Sequence, residues 1–331
     1  MKKYLIILPL FILVFSACSS KEVFKPKLVG DDWHSYESLE DDIVDTSLNI
    51  AKLDDNKVIT KNGLIHNLKV QEDQRVISAS DGWVITASID GNLTLSAEVD
   101  PTLQEKFALK KTIASASVHG DTLAVLFADD EIALYSIPTK EILFKEQGGK
   151  SLAVDARIVQ PYFTEGLVLF ATLDGKVIIV NEAKRKRLRT VIVSSEDNFN
   201  NVIYMNIVDN KIVAATPYKL LSISKKEVRA KYEIRNVLYD GKDLFVATKQ
   251  GEIVSLTPEL QLNAKLKFPF AHFLGMVSKG DNLYILEKEG YMIVLNKNMK
   301  DYTIHEVDIG DGFVLVTPDA FYVDDEKIII K

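Results

Sequence analysis

A pair of short turns that flank one apolar segment recurs eight times along the chain. The two turns of a pair lie seven to ten residues apart, as in Asp81-Gly82 followed by Asp90-Gly91. Asp-Gly and Asn-Gly sequences supply the positive φ angles that tight β-hairpins require. The second turns of successive pairs lie about 37 residues apart on average, which is enough for four short strands with their turns. This spacing is the period of a β-propeller blade.

The number of turn pairs predicts the number of blades. The pairs run from residues 54–56 with 62–63 to residues 311–312 with 318–319. Eight pairs predict an all-β, eight-bladed β-propeller of four-stranded antiparallel blades. Seven blades are the alternative, because the first and last units are short and could share one closing blade. A β-sandwich or barrel would also give evenly spaced hairpins, but neither requires eight units with one internal spacing.

The segments between the turns are almost continuously apolar, with little alternation of polar residues. Residues 167–171 read Leu-Val-Leu-Phe-Ala, and residues 244–248 read Leu-Phe-Val-Ala-Thr. A strand has this composition when both faces of its sheet are covered, as they are when blades stack on one another. No segment after the N-terminal region combines a helical period with capping residues, so the pattern predicts strands throughout.

Residues 1–17 have the layout of a secretory signal, with two lysines, a short apolar run and small residues before Cys18. The apolar run of about a dozen residues is shorter than the roughly 20 needed for a transmembrane helix. Phe15-Ser16-Ala17-Cys18 resembles a bacterial lipobox, whose cysteine is acylated and becomes the first residue of the mature protein. The resemblance implies lipidation of Cys18. Ser19 at the next position implies an outer-membrane lipoprotein on the periplasmic face.

These features divide the chain into three parts. We expect a lipoprotein signal peptide over residues 1–17, a lipid anchor and tether over residues 18–44, and the propeller over residues 45–331. The tether contains few clustered apolar residues, which is typical of a loosely held segment. Two alternatives remain open for it: Trp33 and Tyr36 dock on the edge of the propeller, or the whole tether is solvated.

Charge and residue counts exclude several classes of function. The net charge is −7, with 40 Lys and Arg against 47 Asp and Glu, so the clustered cations that nucleic-acid binding requires are not expected. Cys18 is the only cysteine, which excludes an intramolecular disulfide and a cysteine-rich metal site. The five histidines are scattered, and the turn aspartates lack the spacing of a calcium loop. We therefore expect no metal and no cofactor.

A basic run, Lys-Arg-Lys-Arg at residues 184–187 with Arg189 nearby, follows the strand expected at residues 176–180. Such a run at an outer turn is typical of a solvated surface. Contact with anionic lipid or an acidic partner is the alternative.

The hairpin over residues 166–180 has the pattern Gly-apolar-Val-apolar-x-Ala-Thr-x-Asp-Gly-x-Val-x-x-Val, which residues 241–254 repeat in part. This pattern resembles the repeat of quinoprotein-like (PQQ-repeat) β-propellers. A lipobox joined to about eight such units resembles the BamB-like lipoproteins of outer-membrane protein assembly. The resemblance implies a non-enzymatic periplasmic scaffold that binds a BamA-like barrel-assembly subunit and unfolded outer-membrane proteins. The alternative is a binding lipoprotein of another envelope complex, or a surface adhesin, that uses the same fold.

Quinone-dependent dehydrogenases share this blade type, which makes an enzyme one alternative. Many of them use a vicinal cysteine pair and docking tryptophans, whereas this chain has one cysteine and only Trp33 and Trp83. We therefore expect no enzymatic activity.

The resemblance also suggests a partner-binding segment. In BamB-like proteins a Leu-x-Leu-Arg segment before a blade contributes to partner binding, and the comparable region here contains Leu152, Val154 and Arg157. An arginine beside aliphatic residues is a common combination in interface hot spots. In the alternative interpretation, Leu152 and Val154 begin an inner strand and Arg157 covers an edge.

Overall fold

The computed structural model describes residues 22–151 and 153–330. Cys18 and Leu152 lie outside the described residues. Within the described part the chain forms 32 β-strands in eight four-stranded antiparallel sheets. These sheets are the blades of an eight-bladed β-propeller, so the predicted fold and blade count are confirmed. No helix in the described part is long and apolar enough to span a bilayer.

Blades 1 to 4 each take four consecutive strands. Blade 1 contains β2 (Ile43–Thr46), β3 (Ile50–Leu53), β4 (Val58–Thr60) and β5 (Gly63–Ile65). Blade 2 contains β6 (Gln74–Ser80), β7 (Trp83–Ser88), β8 (Asn92–Ala97) and β9 (Gln104–Ala108). Blade 3 contains β10 (Ile113–His119), β11 (Thr122–Phe127), β12 (Glu131–Ser136) and β13 (Ile142–Gln147). Blade 4 contains β14 (Tyr162–Thr164), β15 (Leu167–Ala171), β16 (Lys176–Asn181) and β17 (Lys186–Ile192).

Blades 5 to 8 complete the ring. Blade 5 contains β18 (Tyr204–Val208), β19 (Lys211–Ala215), β20 (Lys219–Ile223) and β21 (Glu227–Lys231). Blade 6 contains β22 (Ile234–Tyr239), β23 (Leu244–Thr248), β24 (Glu252–Leu256) and β25 (Leu262–Lys267). Blade 7 contains β26 (Phe273–Lys279), β27 (Asn282–Glu287), β28 (Tyr291–Asn296) and β29 (Tyr302–Glu306). Blade 8 contains β30 (Val314–Val316), β31 (Ala320–Val323), β32 (Glu326–Ile329) and, as its outermost strand, β1 (Tyr36–Ser38).

The N-terminal strand β1 closes the ring by pairing with β32, with Tyr36 opposite Ile328. The propeller therefore takes in residues 36–44, which the sequence analysis assigned to the tether, because blade 8 obtains its fourth strand from there. Trp33 is also buried, and its indole Nε1–H donates to the carbonyl of Ile329 at 3.2 Å. Of the two alternatives for this segment, docking on the propeller is the correct one for Trp33 and Tyr36.

Two of the eight turn pairs are out of phase with the others. In blades 2 to 7 the first turn joins the first and second strands of a blade, whereas residues 54–56 join the second and third strands of blade 1. Residues 311–312 precede the first strand of blade 8. The count of eight is still correct, because any strand flanked by two short turns gives the same spacing.

The core lies between the blades, and the alternate side chains of one strand serve two different interfaces. In β11, Leu123 and Val125 pack in a cluster with Ile85 of blade 2. Ala124 and Leu126 of the same strand pack in a cluster with Phe170 of blade 4. Both faces of the strand are thus covered, which explains why the sequence is continuously apolar there.

A repeated backbone hydrogen bond positions the loops that connect successive blades. The first residue after the outermost strand donates its N–H to the carbonyl of the turn glycine of the same blade. Examples are Leu109 to Gly91 at 2.8 Å and Phe268 to Gly251 at 2.7 Å. The interblade loops and the turns between second and third strands therefore share one face of the ring, which we call the loop face.

Leu169 tests the packing between blades. Its side chain is 1% exposed in the cluster between blades 4 and 5, so Leu169→Asp would bury an unpaired charge. We expect the free energy of unfolding to fall by about 3–5 kcal/mol, measured by thermal and urea melts followed by circular dichroism. Leu188→Asp, at a half-exposed position on β17 of the same blade, is the control and should have little effect. Equal melting of the two variants would contradict this packing.

Candidate partner-binding site

Val154 and Arg157 of the predicted partner-binding segment lie in the loop over residues 148–161, between β13 and β14. It is the longest interblade loop of the described chain. Val154 is 38% exposed, and Arg157 is partly buried. Val154 does not begin an inner strand, because β14 begins only at Tyr162.

The Arg157 side chain is engaged within the chain. Its Nε–H and Nη2–H groups donate to the carboxylate of Asp155 at 2.7 and 2.5 Å, and its Nη1 donates to the backbone carbonyl of Arg235 in blade 6. Burial opposes ionisation of Asp155, but the hydrogen bonds and charge of Arg157 outweigh it and lower the pKa of this carboxyl. Arg157 thus braces its loop against a blade two positions along the ring.

The same loop fills the centre of the ring. Gln160 accepts a hydrogen bond from Asn49 of blade 1 at 3.2 Å, and the carbonyl of Val159 accepts one from Ser115 of blade 3 at 3.1 Å. A cavity of about 180 Å³ remains beside Arg157, Tyr204 and Arg235. Small-molecule sites usually occupy about 300–1000 Å³, so this central cavity is smaller than a typical small-molecule site.

A second loop, over residues 193–203, joins the first into one unit. Asn201 is fully buried, and its Oδ1 accepts from the N–H of Asp155 at 2.7 Å. Its Nδ2 donates to the carbonyls of Asp155 and Arg157 at 3.1 and 3.0 Å. The N–H of Phe199 also donates to the carbonyl of Ala153 at 2.9 Å. These bonds fix Phe199 and Val154 next to one another along the two backbones.

Phe199 combines exposure with an unfavourable backbone conformation. It is 46% exposed and has a φ of 50°, where bulky residues are rare because the Cβ atom crowds the backbone. Such a conformation persists only where the surrounding structure holds it, and it is enriched at functional sites. Exposed aromatic residues are also enriched at protein interfaces. We call Val154 and Phe199 together the loop patch. Exposed Asp197 gives it an acidic border, and Glu196 beside it forms an ion pair with Lys219 at 3.1 Å.

The structure thus brings Val154 into a candidate site, uses Arg157 as a brace, and adds Phe199 and Asn201, which the sequence analysis missed. A usable signal was present: Phe199 is the only apolar residue in the run Ser-Ser-Glu-Asp-Asn-Phe-Asn-Asn. An aromatic residue within a run of turn-forming residues does not belong to a buried strand, so it is a candidate for an exposed contact.

Two carboxyl groups meet beneath the 148–161 loop, at the turns of blades 3 and 4. Asp130 is buried, and its Oδ1 accepts from the N–H of Leu173 at 2.7 Å. Burial raises the pKa of Asp130 to about 7. The charge of Asp174 and a hydrogen bond with it act in the same direction. Lys176 forms an ion pair with Asp174. No cluster of three metal-ligating side chains occurs in the described part of the chain.

Asp130 should make stability depend on pH. The pKa of an unfolded aspartate is about 3.9, so between about pH 4 and pH 7 the folded state holds a proton that the unfolded state releases. Stability therefore falls as pH rises through this window. We expect the Tm of the wild type to fall from pH 5 to pH 8 by more than that of Asp130→Asn, whose amide oxygen still accepts from Leu173.

The control for this measurement is Asp129→Asn. Burial opposes ionisation of Asp129, but its hydrogen bond with Lys111 outweighs it and lowers the pKa of this carboxyl. This group stays ionised in both states above pH 5, so the variant should keep the wild-type slope. Identical slopes for wild type and Asp130→Asn would contradict the assignment.

The basic run at residues 184–187 lies at the outer edge of blade 4. Arg187 pairs with Glu146 of blade 3 at 2.6 Å, and Arg189 pairs with Glu227 of blade 5 at 3.0 Å. Exposed pairs of this kind contribute about 0–1 kcal/mol each. The geometry favours a solvated edge with contacts to both neighbouring blades.

Comparison with known proteins adds sequence relatives and structural neighbours. No family model matches the chain. It is 28% identical to plasminogen-binding protein PgbB of Helicobacter pylori in each of two strains, over 92% of this chain. The chain spans 65% of the length of these relatives.

The structural neighbours share the fold at low sequence identity. BamB from Moraxella catarrhalis superimposes with a TM-score of 0.71 at 12% identity, covering 89% of this chain and 98% of BamB. The C-terminal WD40 domain of Sif2 gives 0.67 at 11% identity, covering 92% of this chain and 99% of that domain. The expected likeness to BamB therefore holds at the level of the fold.

Proposed function

We propose that the chain is a non-enzymatic binding protein of a bacterial outer membrane, anchored through Cys18, that holds a protein partner on the loop patch. The observation that carries the proposal is Phe199, exposed at a positive φ on a loop that buried Asn201 holds in place. The similarity to PgbB, a protein named for binding plasminogen, supports a binding role.

The geometry suits binding because the loop is already ordered in the free protein. Association with a partner therefore does not have to supply the free energy of ordering it. An aromatic side chain fixed in its bound conformation loses little entropy on association. Hot-spot residues of this kind contribute about 2 kcal/mol or more to binding. The acidic border at Asp197 fits a partner whose apolar pocket carries a cation at its rim.

Two partners are candidates. Sequence similarity to PgbB over most of the chain favours plasminogen or a protein like it, which requires the loop patch to face the outside of the cell. The BamB-like fold keeps a BamA-like barrel-assembly subunit and unfolded outer-membrane proteins as the second candidate, on the periplasmic face. A shared fold does not fix function, so we place the first ahead of the second.

Cys18→Ala tests the anchor. We expect the variant to remain unprocessed or to leave the membrane fraction, because acyl chains supply about 0.8 kcal/mol per buried methylene. Mass spectrometry and fractionation measure this. Processing and fractionation like wild type would show that Cys18 is not the lipidated residue. Protease treatment of intact cells then separates outward from periplasmic exposure.

Phe199→Asn tests the loop patch. Asparagine adopts left-handed backbone conformations readily, so we expect the Tm to be unchanged or higher. Loss of the aromatic anchor should weaken binding at least tenfold, which corresponds to about 1.4 kcal/mol. The measurement is binding of the purified protein to plasminogen and, separately, to the periplasmic domains of a BamA-like subunit.

The matched control is Val99→Ser, which changes a residue that is 92% exposed near a turn of blade 2. It should bind like wild type. If Phe199→Asn binds whichever partner the wild type captures with unchanged affinity, the loop patch is not the interface.

A further inference from the structure

The N-terminal segment is fixed to the outer edge of blade 7 before it reaches β1. Phe24 is buried, and its ring lies edge-on to the rings of Phe268 and Tyr291, with centroids 6.2 and 5.6 Å away. Farther along, the N–H of Gly30 donates to the carbonyl of Ile304 in β29 at 2.7 Å. The described chain therefore starts at a defined place on the propeller.

The distance from this place to Cys18 is short. Six residue steps separate Cys18 from Phe24, and an extended chain spans at most about 3.6 Å per residue. An acyl group on Cys18 would thus hold the outer edge of blades 6 and 7 within about 20 Å of the lipid.

The surface at this edge is apolar and cationic. Leu28 is 86% and Phe270 58% exposed, and Tyr302 is exposed beside them. They line one groove of about 1210 Å³ together with exposed Lys25 and Lys27. Exposed Lys267 also lines this groove, whereas Glu22 is its one acidic lining residue in the described chain. We call this surface the blade 6–7 flank.

We propose that the blade 6–7 flank docks on the surface of an anionic phospholipid bilayer, a step that rests on the proposed anchor at Cys18. Leu28 and Phe270 enter the headgroup region, and Lys25 and Lys27 contact lipid phosphates. Apolar side chains bordered by lysines are the composition of surface-bound membrane segments, and lysines gain energy near anionic lipid.

A membrane is a better occupant of this flank than a protein partner for two reasons. Cys18, the proposed anchor, precedes Phe24 at this flank by only six residue steps. The flank is also cationic although the whole chain has a net charge of −7, which matches an anionic lipid surface. The loop patch belongs to the loops between blades 3, 4 and 5, so docking at blades 6 and 7 leaves it free for a partner.

The test measures membrane depth on the full, processed protein. Cys18 is the only cysteine and acylation consumes its thiol, so Leu28→Cys introduces a single free thiol for a polarity-sensitive fluorophore. The labelled protein is reconstituted in vesicles of phosphatidylcholine and phosphatidylglycerol that contain a spin-labelled lipid as quencher. We expect severalfold stronger quenching at position 28 than at position 99 of the control Val99→Cys. Equal quenching at the two positions would overturn the proposal.

Charge reversal gives a second, independent arm. Lys25→Glu with Lys27→Glu should reduce quenching at position 28 severalfold, as should vesicles of phosphatidylcholine alone. The control reverses Lys225 and Lys226, an exposed pair on an outer turn of blade 5, and should leave quenching unchanged. If neither the charge reversal at residues 25 and 27 nor the removal of anionic lipid changes the quenching, the assigned lysine contacts are wrong.

The proposals for the anchor at Cys18 and for the blade 6–7 flank can be disproved independently. If mass spectrometry shows Cys18 unmodified, the anchor proposal is wrong by itself. The flank is then tested with Leu28→Cys in a Cys18→Ser background added to the same vesicles. Retained quenching at position 28 supports the flank, and its absence overturns it.

Discussion

The pairing of β1 with β32 is the contact on which the rest of the structure depends. Each blade buries its two faces against its neighbours, so an open ring would expose the apolar faces where blades 8 and 1 meet. Closure here joins the two ends of the chain, with Tyr36 to Ser38 opposite Glu326 to Ile328. Because only three residue pairs form this contact, its strength depends on the segments beside it, and Trp33 supplies one by donating to the carbonyl of Ile329.

The architecture was predictable because it rests on local chemistry repeated many times. Turn glycines and aspartates mark the hairpins, and the continuous apolar strands report that both faces of each sheet are covered. The ends of the repeat were harder: residues 36–38 contain nothing that marks them as the outermost strand of blade 8, since their partner lies about 290 residues away. Long-range pairing leaves no local period in a sequence.

The candidate site was predictable only in part, for a related physical reason. Val154 and Phe199 come from different loops, and the hydrogen bonds of Asn201 that join these loops span more than 40 residues. The role of Arg157 likewise depends on the carbonyl of Arg235, 78 residues away. Spacing along the chain could nominate the arginine, but only the folded ring shows that its donors are already used. A charge reversal at Arg157 would therefore disturb the loop itself as well as any interface.

The course of the N-terminal segment links the proposed anchor at Cys18 to closure of the ring. A pull on an anchor at Cys18 would first act on Phe24, which is buried in the cluster between blades 6 and 7. It would next act on the backbone bonds of Gly30 and Trp33 to β29. Only after these yield would the load reach β1. Buried Phe24 and the backbone bonds to β29 thus protect the three-residue contact that closes the propeller. A membrane anchor and the closing strand can therefore share one short segment of chain.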